Sequence, residues 1–201
     1  MGCQKDIASG IIDKEADYVL ALKGNQSSLQ EDVLLFFEEQ QGNSWKGCQY
    51  DYHEETDAGH GRIEIRKCWA VSDIAWLTGT HDWKGLQSIA LIEAKRIIKD
   101  KESIEQRLYI SSLPANAQTI AQSVRAHWSI ENNLHWVMDV VFNDDRNQTK
   151  NRQAAFNLQT IKKMTLNLLK KHKSKKSISI RRKGAGWNFN LMLEILNAAQ
   201  N

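Results

Sequence analysis

The sequence has little proline, little cysteine and no long apolar run. Pro114 is the only proline in 201 residues, and no low-complexity linker accompanies it. That argues against domains strung on tethers and for one compact domain with an appendage. The three cysteines, Cys3, Cys48 and Cys68, are odd in number and far apart. This excludes a disulfide framework as the expected scaffold and points to a reducing, cytoplasmic setting. No apolar stretch approaches the roughly 20 residues of a membrane-spanning helix, so no membrane partner is expected. Residues 2–10 are polar, unlike the start of a secretory leader. Hydrophobic residues still make up 41% of the chain, enough for one sizeable core or two small ones.

The most pointed absence is of acid. Residues 150–183 hold 12 Lys/Arg and no Asp or Glu. Residues 1–149 carry 15 Lys/Arg against 23 Asp/Glu, a net −8, so the overall +3 conceals a strong asymmetry. A local polycation suits a polyanion, and nucleic acid is the first candidate. Lys162, Lys163, Lys170, Lys171, Lys173, Lys175, Lys176, Arg181, Arg182 and Lys183 would engage phosphates without reading sequence. The plainer reading is a solvated helix face with a flexible tail. Seven tryptophans are present; most are expected in a core, with one or two available to stack bases.

Periodicity sets the expected elements. Residues 4–14 read as an amphipathic helix, and residues 18–22 as a short strand ending in a turn at Lys23-Gly24-Asn25-Gln26. A helix follows to about Gln40, with Ser28 and Glu31 spaced as a capping box. Residues 62–71 alternate as a half-exposed strand does, and 88–98 and 105–111 are further strands. Residues 120–142 read as one long helix. A basic helix covers about 151–171, with Phe156, Leu158, Ile161, Met164, Thr165 and Leu168 inward. Residues 170–183 read as a basic loop or short extension, and 187–198 as a closing apolar helix.

The long helix carries the most suggestive chemistry. Counting about 100° per residue, Glu131 lies about 20° from Ile120, near the centre of the apolar stripe. A carboxylate facing a core needs a partner, a hydrogen bond or a metal. His127, Glu131, His135 and Asp139 recur every four residues and form a polar ridge. Carboxylates suit magnesium or manganese, and added imidazoles tilt toward zinc. The plainer reading is a hydrogen-bond network that orders the helix. Two weaker constellations are Lys23 with Asn25, placed for a phosphate or carboxylate, and the zinc-compatible types Cys48, His53, His60 and Cys68.

The segment His127-Trp-Ser-Ile-Glu-Asn-Asn-Leu-His-Trp-Val-Met-Asp139 closely resembles the third-carboxylate helix of bacterial insertion-sequence transposases of the H-repeat-associated group. So do residues 18–26, ending Leu-Lys-Gly-Asn-Gln, the run Gly59-His60-Gly61-Arg62-Ile63-Glu64-Ile65-Arg66, and Ile110-Ser-Ser-Leu-Pro114. The likeness continues through residues 157–169 to the end of the chain.

The resemblance implies an α/β (α+β) chain: an incomplete ribonuclease-H-like domain with a mixed sheet flanked by helices. On it, residues 1–41 belong to the core and 42–114 form a β-rich insertion. Residues 115–149 carry the third-carboxylate helix, and 150–201 are a basic C-terminal helical segment. It further implies DNA cleavage and joining with Mg2+ or Mn2+, held by two Asp and one Glu. Glu131 matches the Glu, supported by His127, Asn132, His135, Asp139, Lys23 and Asn25.

Both Asp belong to strands that would precede Met1, so the expectation is a C-terminal part of a transposase, inactive alone. The expected partners are insertion-sequence ends and target DNA, with a second copy or an intact transposase as a further associate. Wider relatives carry Arg four before the Glu and Lys seven after it. Here those positions are His127 and Met138, so those roles do not carry over. Two rivals stand beside this reading. One is a non-enzymatic DNA-binding protein that competes with intact transposase. The other is a metal hydrolase built on His127, Glu131, His135 and Asp139.

Overall fold

A computed structural model describes residues 3–59, 61–99 and 101–198. The elements in order are α1 (Lys5–Ile12), β1 (Val19–Ala21), a 3-10 turn (Gly24–Gln26), α2 (Ser27–Gly42), β2 (Asp51–Gly59) and β3 (Arg62–Val71). Then come α3 (Ala75–Thr78), β4 (Ser88–Ile98), β5 (Lys101–Ser111) and α4 (Ala117–Ile130). A π-helical turn (Glu131–His135) leads into α5 (Trp136–Phe142), followed by α6 (Arg152–Lys171), α7 (Ile178–Trp187) and α8 (Phe189–Asn197). The chain divides into two compact units, Met1–Ala126 and His127–Asn201.

The first unit is built on one sheet in the order β1-β5-β4-β3-β2, with every described pair antiparallel. Alternation along β3 sends its residues to two different helical layers. Val71 faces the same side as Ile89, Leu91, Leu108 and Ile110, where Ala8 of α1 and Leu29, Val33 and Phe37 of α2 close the core. Cys68 and Ala70 face the other side with Ala90 and Tyr109, under Ala117 and Ile120 of α4.

Hydroxyls fix the joins. Ser112 Oγ accepts from the Tyr18 N–H at 2.8 Å, and Ser111 Oγ donates to the Tyr18 carbonyl at 3.0 Å. These two buried serines lock β1 onto β5, which gives the Ile110-Ser-Ser-Leu-Pro114 run a structural reason. The N-terminus of α4 is capped twice: Asn116 Oδ1 accepts from the Thr119 N–H and Asp51 Oδ2 from the Ala117 N–H, each at 2.7 Å. Arg125 adds a salt bridge to Asp57 at 3.2 Å. Gly61, at φ +74°, serves the tight connection between β2 and β3, where a side chain is disfavoured.

Several expectations change here. The strand β2 was not expected, because Asp51–Gly59 is polar on both faces; it is an exposed edge. Helix α3 was not expected either. The anticipated capping box is absent: α2 follows directly from the 3-10 turn with no side-chain cap. Residues 178–187 are helical rather than loop, with Ser177 accepting from the Ile180 N–H as N-cap. Of the seven tryptophans only Trp83 is buried, at 5% exposure. No helix among the described residues is long and apolar enough to cross a membrane.

The second unit is a small helical assembly. Val137, Met138, Val141 and Phe142 of α5 pack with Leu166 and Leu169 of α6 and Ile195 of α8. On α6, Phe156, Leu158, Ile161 and Met164 face outward, contrary to expectation, and Leu166 and Leu169 face inward. Of the expected inward set only Thr165 and Leu168 are half-buried, and Leu168 packs on the core, so periodicity found one edge of the buried face.

Candidate functional site

Glu131 opens the π-helical turn, and the Trp136 N–H donates to its carbonyl, five residues back. A π turn inserts an extra residue into a helix and is frequent at functional positions. Its local stereochemistry widens the turn, so a uniform 100° count loses phase beyond this point. Glu131 is exposed rather than turned into a core. His127, Asn132, His135 and Asp139 are exposed as well. Leu134 alone of this turn is half-buried, packed against the core of the second unit. Ile130 and Trp136 flank the carboxylate at 53% and 58% exposure.

The π turn is held from outside its own helix. Lys170 Nζ donates to the Asn133 carbonyl at 2.8 Å, and Asn133 Nδ2 donates to Ser129 Oγ at 3.0 Å. Neither Asn133 nor Ser129 was among the expected site residues. Only a tertiary contact 37 residues long reveals the first, and an i, i+4 spacing could have suggested the second.

Among the described residues no three His, Cys, Asp or Glu converge as metal ligands. The ridge His127, Glu131, His135 and Asp139 therefore does not gather into a metal site here, and neither do Cys48, His53 and Cys68. His60 lies outside the described residues. Burial pushes the Cys68 thiol up to about 12, which opposes the thiolate that zinc requires. The Cys48 thiol is raised too, chiefly by burial and then by Asp73.

A two-metal centre needs several oxygen ligands around each hard cation. One exposed carboxylate with no convergent neighbour does not supply them, so the described residues alone do not fit Mg2+ or Mn2+ as a pair. Asn25 has a different task from phosphate binding: its Nδ2 donates to the Cys3 carbonyl at 2.7 Å, beside Gln26 Nε2 at 3.2 Å. Lys23 is exposed and precedes that 3-10 turn.

The ten expected phosphate contacts split into two groups. Four are engaged within the unit. Lys162 pairs with Asp144 at 2.7 Å, with both side chains largely buried. Lys170 holds Asn133 as above. Arg181 donates to the Leu169, His172 and Lys176 carbonyls, closing the C-terminus of α6. Arg182 lies over the Phe142 ring at 5.3 Å. The remaining six, Lys163, Lys171, Lys173, Lys175, Lys176 and Lys183, are exposed, and no described side chain neutralises them.

A family model, transposase DDE domain, matches residues 1–168, and the chain belongs to that family. Among its relatives is "Putative transposase YncI" of Escherichia coli O157:H7. It is 39% identical over 202 residues, covering 98% of this chain and 51% of that protein. "H repeat-associated putative transposase YhhI" of Escherichia coli K12 is 34% identical over 189 residues, covering 91% and 49%. The chain thus spans about half the length of the curated relatives it matches. No solved structure matches.

Proposed function

We propose that residues 1–201 are the part of a DNA transposase that contributes Glu131 as one of its metal-binding carboxylates. Its basic helical segment supplies DNA contacts. Family membership supports the reaction class: divalent-metal-dependent cleavage and joining of DNA strands. Two metal ions about 4 Å apart activate the attacking oxygen and stabilise the leaving one in such transfers. Of the described residues, Glu131 has the motif context and the accessibility to hold such an ion. The π turn sets its place on the helix, and Lys170 and Ser129 stiffen that turn.

The observation that carries this reading is the His127–Asp139 motif within the family match, with an unusual helical turn beginning at its carboxylate. The same proposal takes residues 1–41 as core, 42–114 as a β-rich insertion, 115–149 as the carboxylate helix and 150–201 as the basic segment. Partners are the insertion-sequence ends and target DNA.

By itself the 201-residue chain is proposed to cut nothing, since one carboxylate cannot hold two hard cations. The test incubates the purified chain and its Glu131→Gln variant with insertion-sequence DNA and Mg2+ or Mn2+. No cleavage by either is expected. Cleavage by the parent and none by the variant would show that the chain completes its own site.

A second reading, a non-enzymatic DNA binder, is favoured by the six uncommitted lysines. It predicts affinity that falls steeply with salt and is indifferent to Glu131→Gln.

A further inference from the structure

The corner between α7 and α8 carries a feature that neither the carboxylate nor the lysines explain. Trp187, the last residue of α7, is 85% exposed, and Phe189, the first of α8, is 67% exposed. They are the two most exposed aromatic side chains among the described residues of the second unit. Both sit on a defined backbone. Asn188 caps α8 by accepting from the Leu191 N–H at 3.1 Å, and its own N–H donates to the Gly184 carbonyl. Gly184 lies so close to Leu191 that an added Cβ would meet Cδ2 at 2.9 Å.

The helix behind them is anchored on its other side. Arg181 and Arg182 are engaged with the end of α6 and the Phe142 ring, and Ile178 and Ala185 pack on the second core. What remains outward on α7 is Ile180, Lys183 and Trp187, at spacings that share one face. Lys183 is an exposed cation one turn before the indole.

A large aromatic held in water beside a free cation fits a stacked base with its phosphate. Residues 150–183 contain no acid, so the surface around Trp187 and Lys183 offers cations and aromatic area to an anionic ligand. We propose that Trp187, with Phe189 beside it, stacks on unpaired bases while Lys183 takes the adjoining phosphate. The chemical class of ligand is single-stranded nucleic acid, or the unpaired end of a duplex. This rests on the reading of the basic segment as a DNA contact and gives it a base-level task.

The test uses the 201-residue chain at low salt with three probes: a blunt duplex, the same duplex with a short unpaired end, and that end made abasic. The unpaired end should bind roughly tenfold more tightly than the abasic one. Trp187→Ala should erase that difference and leave blunt-duplex binding unchanged, and Trp187→Phe should restore much of it. Equal affinity for the normal and abasic ends in the parent chain would overturn the proposal. So would a Trp187→Ala chain that keeps the preference, or one that turns a parent dimer into a monomer in sedimentation. Absence of salt-dependent binding to all three probes would instead overturn the DNA reading itself, so the two failures are distinct.

Discussion

The two units bury their apolar residues to very different degrees. In Met1–Ala126 the sheet is covered on both faces, by α1 and α2 on one and α4 on the other, and Val33, Phe37, Ile89 and Ile110 are fully sealed. In His127–Asn201 a small helical core forms around Leu166 and Leu169, while Trp136, Phe156, Ile161, Met164, Trp187 and Phe189 face outward. Charge follows the same division. The sheet unit carries the acid, and in it Glu64 sits between Arg62, Arg66 and Arg96. In the helical unit Lys163, Lys171, Lys173, Lys175, Lys176 and Lys183 are exposed within residues 150–183, a stretch with no acid. The sheet unit is a scaffold that satisfies itself; the helical unit presents its chemistry to something else.

The largest test of that contrast replaces a phenylalanine in each. Phe37→Ala, at 0% exposure, should cost about 3–5 kcal/mol of stability by urea unfolding. Phe156→Ala, at 63% exposure, should change it by less than about 0.5 kcal/mol. A costly Phe156→Ala would mean that α6 buries its outer face in solution.

Within α6 a closer pair sharpens the comparison. Leu166→Ala should cost about 2–5 kcal/mol and Met164→Ala under about 0.5 kcal/mol, because only the former is enclosed. Reversed costs would restore the face that periodicity indicated.

Lys162→Met should destabilise the helical unit by about 2 kcal/mol, less than a fully buried pair, since it strands Asp144 with some water still near. Thermal melting would report the loss. An unchanged melt with weaker DNA binding would instead return Lys162 to the phosphate contacts.

Alkaline pH separates the units by titration. Burial raises the Cys3 thiol to about 11, the Cys68 thiol to about 12 and the Tyr18 hydroxyl to about 12. Their ordinary values are 9.0, 9.0 and 10.0. Each pKa is raised on folding, so its stabilising contribution is full below the ordinary value and is lost as pH climbs toward the folded one. The sheet unit should therefore weaken between about pH 9 and 12. All cysteines and tyrosines lie in that unit, so sheet circular dichroism followed against pH reads it directly.

The smallest effect is at the free cations. Lys175→Ala should weaken duplex binding and lower the salt slope by about 1, with no change in folding. An unaltered slope would remove Lys175 from the contact.

What could be read in advance follows from these same differences. Alternation in β3 was legible, because an antiparallel strand with packed faces imposes period two. The edge strand β2 was not, because it is exposed along nearly its whole length and shows no apolar alternation. The carboxylate helix was found by motif, yet the exposure of Glu131 was missed. The stripe on either side of it is buried, at Ile120 and at Val137, Met138 and Phe142, yet Glu131 itself is exposed, and the π turn leaves no mark in residue spacing. Helix α7 was hidden under its lysines, although Ser177 was a readable N-cap. The internal use of Lys162 and Arg181 was beyond sequence, because Asp144 and the Leu169 carbonyl reach them only in three dimensions.

Hydrogen exchange on the 201-residue chain, with and without insertion-sequence duplex at low salt, tests the central contrast most directly. The account predicts slow exchange in β3, β4 and β5 that DNA does not alter, and new protection confined to residues 152–187 when DNA is added. Protection appearing on the sheet, with α6 and α7 unchanged, would contradict it.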